Sequence, residues 1–457
     1  MSRHPIAIIG AGPVGLAAAA HLLARGQTPV IFEAGPSVGH SIRQWGHVRM
    51  FTPWGYCVDT QANALLSASG WSHPPHAEVP TGAELVARYL EPLAALPAIA
   101  HRLHLNSRVV AVSRKGCDKV RTAGREALPF VLRIADPAGG LRTVEASAVI
   151  DTSGTWTMPN PMASDGLPVI GEVAAAGHIA TGIPDVLGAA RQRYAGKRIT
   201  VVGGGHSALN ALIELAELRE ADPSTRIVWV LRKQRVEAAF GGEDLDGLPA
   251  RGALGSQARR IVESGAVEIR SPFLISRLGV AQGGGIEIHG DAEGGATSSF
   301  VTDEIIVATG FRPDLSMLRE LRLSLDPWLE CAADIGPLID PNLHSCGTVR
   351  PHGARELAHA EPGFFIAGMK SYGRAPTFLL ATGYEQVRSI AAALAGDAEA
   401  AARVELVLPE TGVCSTSAPA GRQSAAAQPC CAAPASAPVA PAPAASACCG
   451  ARKEVAA

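Results

Sequence analysis

The 457-residue chain has no uncharged apolar run long enough to span a bilayer, which argues against an α-helical membrane protein. It also has no surplus of either charge. Its 40 Lys and Arg stand against 42 Asp and Glu, so neither nucleic acid nor an anionic membrane surface is an expected partner. Almost nothing precedes the first apolar strand, which leaves no space for a signal peptide, and cytoplasmic residence is expected. A metal-ligand pattern is missing from the body of the chain. His73-Pro74-Pro75-His76 offers two histidines without a third ligand at metal spacing and reads as a lid or surface loop. Only one cysteine, Cys57, lies between Glu33 and Gly70, so no dithiol is available there.

What is present is a pair of glycine-rich turns, Gly10-Ala11-Gly12-Pro13-Val14-Gly15 and Gly203-Gly204-Gly205-His206-Ser207-Ala208. Each follows a β-branched apolar run, Ile6–Ile9 or Ile199–Val202, and each opens into an Ala/Leu-rich helical stretch. In strand–turn–helix context such a turn cradles a dinucleotide pyrophosphate on the unpaired N–H groups of the helix start. Gly10 permits the tight turn, Gly12 the close approach of phosphate, and Gly15 the packing of helix on strand, with Pro13 at the first helical position. The next strand, Pro29–Phe32, ends in Glu33 and Ala34, where a carboxylate can accept from a ribose diol; FAD is the expected occupant. The second turn is different. Its partner strand, Arg226–Leu231, ends in Arg232-Lys233, two cations suited to a 2′-phosphate, so NADPH is expected there. Gly203, Gly205, His206 and Ser207 would line that phosphate site, His206 as a helix-start residue.

The expected fold class is α/β, with two Rossmann-like dinucleotide-binding domains, the NADPH domain inserted in the FAD domain. Residues 1–164 form the first part of the FAD domain, 165–298 the NADPH domain, and 299–408 the return part. Residues 409–457, rich in Ala, Pro, Ser and Cys without periodicity, read as a disordered tail. The runs Val109–Val112, Phe130–Ile134 and Thr143–Ala146 predict a strand meander, closed by Ala148–Gly154.

Thr152-Ser153-Gly154-Thr155-Trp156 with Pro159 and Pro161, the return motif Ala308-Thr309-Gly310-Phe311-Arg312-Pro313-Asp314, and Gly363–Gly368 together resemble flavin-containing monooxygenases. The resemblance implies FAD, NADPH and oxygenation of a soft nucleophilic atom, with Gly154, Thr309, Gly310, Gly368 and Thr377 at the cofactors. It also places Arg43-Gln44-Trp45-Gly46-His47-Val48-Arg49 beside the flavin. There Gln44 and Trp45 would wall the ring and Arg43 or Arg49 would hold a phosphate or substrate anion, ordinary loop packing being the alternative. Tyr372 and Arg374 are candidates for a substrate pocket, or supports of their turn. The family's Phe-Gly-His fingerprint is only partly matched. His178 is therefore either a residue that positions NADP or a loop histidine bonded to backbone. The carboxylate usual after the flavin strand is also absent, Met369-Lys370 standing there.

The tail holds five of the nine cysteines: Cys414, Cys430-Cys431 and Cys448-Cys449. Adjacent thiolates suit soft ions, and the ending Ala447-Cys448-Cys449-Gly450 is similar to the tail of mercuric reductases. Leu408–Cys414 resembles flavoproteins encoded in arsenic-resistance operons. Three functions follow. The first is an FAD- and NADPH-dependent monooxygenase acting on a small molecule such as a trivalent arsenical. The second is a flavoprotein metal or disulfide reductase using the tail cysteine pairs, and the third a flavin-bearing thiol sensor or metal sink. A homodimer is left open.

Overall fold

The FAD half begins with β1 (Ile6–Ile9), the Pro13–Ala24 helix and β2 (Pro29–Phe32), the unit the first glycine turn requires. Helical segments then lead to β3 (Leu103–His104). A three-stranded antiparallel meander follows, β4 (Arg108–Arg114), β5 (Phe130–Ala135) and β6 (Leu141–Ala146), before β7 (Ala148–Asp151). The inserted half adds β8 (Ile179–Thr181), β9 (Arg198–Val202), the His206–Ala221 helix, β10 (Arg226–Val230), the Pro249–Glu263 helix and β11 (Glu268–Arg270). A second meander, β12 (Phe273–Val280), β13 (Ile286–Ala292) and β14 (Thr297–Thr302), precedes β15 (Glu304–Val307). β16 (Phe364–Ile366), the Leu380–Leu394 helix and a short Ala398–Ala402 helix follow. This computed structural model describes residues 4–344, 349–376 and 378–406, all within one compact unit.

The two halves repeat one design. The first parallel sheet runs β16-β7-β1-β2-β3 and the second β8-β15-β9-β10-β11. In each, the strand before the glycine turn is central, flanked by the strand that follows the helix and by the strand that follows the meander. Central strands of parallel sheets are covered on both faces, which explains their continuous apolar runs. All four residues of β1 are buried, as are Ile199–Val202 of β9.

One expected boundary moves. The NADPH domain was set to end at residue 298, but Glu304–Val307 pairs parallel with β9 and β8 and belongs to the second sheet. The apolar run Ile305–Val307 is buried there, and the chain returns to the FAD half only beyond it. The meander strands match their expected positions, with ends extended by at most two residues. Among the described residues no helix is long and apolar enough to cross a membrane.

A buried charge cluster ties the first meander to the segment before β16. Glu361 accepts from Arg114 Nε at 2.8 Å, Arg125 Nη2 at 2.8 Å and the Arg322 amide at 3.2 Å. All three side chains of the triad are at most 3% exposed. Burial acts to raise the Glu361 carboxyl, but the Arg125 and Arg114 guanidinia overcome it and hold its pKa below the ordinary value. The contribution to stability is therefore complete above the ordinary glutamate range and is lost as pH falls through the depressed folded value. Glu361→Ala, which strands two buried guanidinia, should cost about 3–5 kcal/mol in urea unfolding. Glu361→Gln should flatten the loss of stability on acidification; an unchanged acid limb would contradict this.

Candidate dinucleotide sites and the crevice between them

The first glycine turn has the shape a pyrophosphate needs. Gly10 has φ +101°, and its amide donates to Phe32 O at 2.8 Å. A Cβ on Gly15 would lie 2.0 Å from Gly10 O, and one on Gly10 would lie 2.8 Å from Thr152 O. At Gly12 a Cβ would meet nothing within 4 Å. Gly12 caps the Pro13–Ala24 helix with no side chain on the helix N–H groups, which are left to an anion in that open space. Glu33 stands beside the turn. Its Oε2 accepts from the Ala11 amide and its Oε1 from the Gly35 amide, both at 2.8 Å, and each oxygen keeps a lone pair for a ribose hydroxyl. Ala34 is exposed next to it. These residues fit FAD.

The second turn repeats the arrangement. Gly203 has φ +130° and would place a Cβ 2.3 Å from Ala308 O, while Gly205, again a helix cap, faces open space. The buried Trp229 donates its indole N–H to Gly203 O at 2.7 Å and anchors the turn from β10. Ser207 lies in the first helical turn, partly buried. Arg232 is exposed at the carboxyl end of β10, and Lys233 donates to Ala238 O at 3.2 Å. The arrangement suits a nicotinamide dinucleotide.

Both turns abut the crossovers between the halves. These crossovers pair as a ribbon: the Asn160 amide donates to Gly310 O and the Arg312 amide to Met158 O, each at 2.9 Å. Thr309 Oγ1 donates to Asn160 O at 2.8 Å, so this side chain serves the ribbon. Gly310 (φ +87°) lies beside the Asn160 amide, and Gly154 (φ +71°) opens toward unfilled space. Trp156 hangs from the ribbon, 4.7 Å from the Phe311 ring, and donates to Gln44 Oε1 at 2.8 Å. Phe51 of the same FAD-side region packs 5.2 Å from the His206 ring. Gln44 of the segment expected beside the flavin thus bridges to the crossover, and Phe51, just beyond that segment, to the second turn.

Several candidates have other employment. Arg43 pairs with Glu91 at 2.6 Å, and Arg49 donates to Val79 O at 2.7 Å, so ordinary loop packing accounts for both. Trp45 packs its ring over Gly82. Tyr372 is 2% exposed, between the rings of His352 and Phe378, and burial pushes its hydroxyl pKa up; it supports the turn and does not reach an open pocket. His178 Nδ1 bonds Asp303 O at 2.9 Å, and the residue precedes β8. Ligands of such sheets gather at the carboxyl ends of the strands, so His178 is a backbone-bonded loop residue at the opposite end. Gly368 (φ +74°) packs on Val14, and its amide donates to the buried Gln386. Arg374 is exposed. Thr377, Cys414, Cys430, Cys431, Cys448 and Cys449 lie outside the described residues.

One pair was not foreseen. Lys370, in the place of the expected carboxylate, donates to Asp151 Oδ2 at 2.7 Å and to Ser153 Oγ at 3.1 Å, with lysine and aspartate at most 1% exposed. It ties the segment after β16 to the end of β7, beside the first turn. A lysine following a strand carries no signal in sequence that its partner is a buried aspartate. The three described cysteines, Cys57, Cys117 and Cys331, are all buried. Burial pushes the thiols of Cys57 and Cys331 up to about 12. Neither of these two is a reactive thiolate.

Comparison with known proteins agrees with this architecture. The NAD(P)-binding Rossmann-like domain family matches residues 8–74. The ferredoxin–NADP reductase of Lactobacillus johnsonii is 24% identical over 331 residues, 71% of this chain and 80% of that protein. Among solved structures, the bacillithiol disulfide reductase Bdr of Bacillus cereus superposes with a TM-score of 0.64 at 18% identity, over 86% of this chain and 99% of the other. The FAD-bound cadaverine monooxygenase of Erwinia amylovora gives 0.60 at 14% identity, over 90% and 99%. The chain has the fold of FAD- and NAD(P)H-dependent oxidoreductases.

The glycine geometry separates cofactor binding from folding. Gly12→Ala should leave the apoprotein's melting temperature unchanged and abolish FAD retention on gel filtration, because its Cβ enters only the phosphate space. Gly15→Ala should fail already in the apoprotein. A yellow Gly12→Ala holoprotein would remove the pyrophosphate from this turn.

Proposed function

We propose that this chain is an NADPH-dependent flavoprotein reductase acting on a disulfide or a thiophilic metal, with the tail cysteine pairs as the relay. The observation that carries the reading is the contrast between two adjoining dinucleotide turns and the described thiols. The turns fit a flavin dinucleotide and a nicotinamide donor, while the described cysteines, Cys57, Cys117 and Cys331, are buried. The adjacent pairs Cys430-Cys431 and Cys448-Cys449 are taken as the thiol relay, Cys346 and Cys414 being single thiols that also lie outside the described residues. The similarity to a ferredoxin–NADP reductase and to a bacillithiol disulfide reductase supports this reading over oxygenation.

FAD, when bound, accepts hydride from the nicotinamide and passes two electrons onward. The chain's own residues do the rest. Gly10, Gly12 and the start of the Pro13–Ala24 helix hold the FAD pyrophosphate, and Glu33 the adenosine ribose. Gly203, Gly205 and Ser207 hold the NADPH pyrophosphate, with Arg232 at the 2′-phosphate. Trp156 and Gln44 keep the crossover fixed against the FAD side. Reduction of a disulfide consumes one NADPH and one proton and yields NADP+ and two thiols.

A second reading, oxygenation of a soft nucleophile such as a trivalent arsenical, is favoured by the crossover motifs and by the fold shared with a cadaverine monooxygenase. Oxygen dependence separates the two. The purified flavoprotein should oxidise NADPH anaerobically with a disulfide or mercuric ion as acceptor. Cys448→Ser with Cys449→Ser should lower that turnover at least tenfold while FAD reduction by NADPH stays at the wild-type rate. Turnover that stops without oxygen, and consumes one O2 per NADPH when arsenite is supplied, would replace the reductase by the oxygenase.

The choice of nicotinamide has its own test. Arg232→Ala should raise the Michaelis constant for NADPH about tenfold and leave that for NADH within twofold, as loss of a charge-assisted phosphate contact requires. Equal shifts for both would take Arg232 away from the 2′-phosphate.

A further inference from the structure

Where the first crossover leaves the ribbon, two like charges converge on one small notch. Gly166 has φ +80°, and a Cβ built on it would stand 3.8 Å from Nη2 of Arg312 and 3.8 Å from Nη2 of Arg374. The two Nη2 atoms are therefore no further apart than twice that distance. Arg312 belongs to the return crossover and Arg374 to the turn after β16, so three separate segments meet here. Asn160 Oδ1 accepts from Arg312 Nε at 3.0 Å, which fixes the plane of the guanidinium and leaves its outer N–H groups to the notch. Among the described residues neither guanidinium takes part in an ion pair. The nearest acids in sequence serve backbone: Asp165 Oδ1 accepts from the Leu167 amide, and Asp314 Oδ1 from the Ser316 amide.

Two guanidinia held this close without a counterion repel, and an oxyanion bridging them removes the repulsion and gains charge-assisted hydrogen bonds. The absence of a side chain at Gly166 keeps the space between them open. The dinucleotides' own anionic groups are provided for elsewhere, the pyrophosphates at the two glycine turns and the 2′-phosphate at Arg232. We infer that Arg312 and Arg374 form a two-arginine subsite, across the Gly166 notch, for a carboxylate or phosphate on the small-molecule acceptor. This deepens the reductase reading and rests on it, restricting the acceptor to an anionic compound. Arginine forks match carboxylate and phosphate oxygens in pairs, which a lysine in either place would not reproduce.

The test uses the full-length FAD-loaded protein saturated with NADP+, so that the glycine turns are filled. Isothermal calorimetry with citrate, and separately with inorganic phosphate, should show binding by the wild type. R312Q and R374Q should each weaken citrate binding about tenfold, and the double variant should abolish it. R374K should recover part of the affinity. In a separate titration without saturating nucleotide, NADP+ affinity should stay within twofold of wild type in both single variants. Citrate affinity unchanged by the substitutions, or no citrate binding by the wild type, overturns the subsite. A matching loss of NADP+ affinity overturns its assignment to the acceptor and gives the arginines to the nucleotide. Neither titration involves turnover. A protein that binds citrate through these arginines yet reduces no acceptor would sink the reductase reading alone.

Discussion

The constraint on which the crevice depends is the approach of each glycine turn to the crossover beside it. Gly10 lies against Thr152 O, where the chain leaves β7, and Gly203 against Ala308 O, where it leaves β15. A side chain at either place would meet backbone, which cannot yield as a flexible side chain can. Each dinucleotide cradle is thus built against the strand that connects the two halves. The glycine turn and the place where the halves join are the same place, twice over. This explains why the two sheets repeat one strand order. A turn that needs a neighbouring exit strand at contact distance needs that strand next to the central one.

From that constraint the crevice follows. The crossovers must run side by side, so they pair through Asn160, Thr309 and Arg312, and the side chains they carry are presented at fixed positions. Trp156 reaches Gln44 on the FAD side, and Phe51 reaches His206 on the second turn. Lys370 on Asp151 holds the segment after β16 to the exit of β7. A buried ion pair of this kind contributes little net stability over an apolar pair, but losing one partner leaves a charge in the interior. Its effect is to specify position. It fixes where the chain toward Arg374 starts.

Local features of this arrangement were legible in the sequence, and partner choice was not. Gly10, Gly12 and Gly15 could be read because the turn needs them for backbone reasons that act within a few residues. Glu33 could be read because strand length puts it beside the turn. Arg43, Arg49 and His178 could not, since whether a side chain faces a phosphate or Glu91, Val79 O and Asp303 O depends on segments remote in sequence. Tyr372 read equally as a pocket residue or a support of its turn, and only the fold shows that His352 and Phe378 enclose it. The boundary at 298 failed for a related reason. The motif Ala308-Thr309-Gly310 marks an exit, but the run before it belongs to the sheet being left. Trp229 gave only an apolar strand signal, and its indole bond to Gly203 became visible only with the fold.

The location of the described thiols bears on where electrons can leave. Cys57 sits in the core of the FAD half, its Sγ 3.4 Å from Thr52 O, with burial holding the thiol protonated far above neutrality. A thiol in that state neither attacks a disulfide nor binds a soft metal at useful rates. Electrons that do not pass directly to a bound acceptor would therefore leave through thiols outside the described residues, Cys346 or those of the tail. The first route asks for a docking group at the crevice, and the second asks the tail to reach it. At the crevice a Cβ on Gly154 would meet nothing within 4 Å, and Arg374 is exposed. An acceptor carrying its own acid group would be oriented by the arginines without the tail, whereas a soft cation would be repelled by them and would need the tail thiolates to deliver it. The charge of the acceptor thus decides which route the same pair of dinucleotide sites can serve.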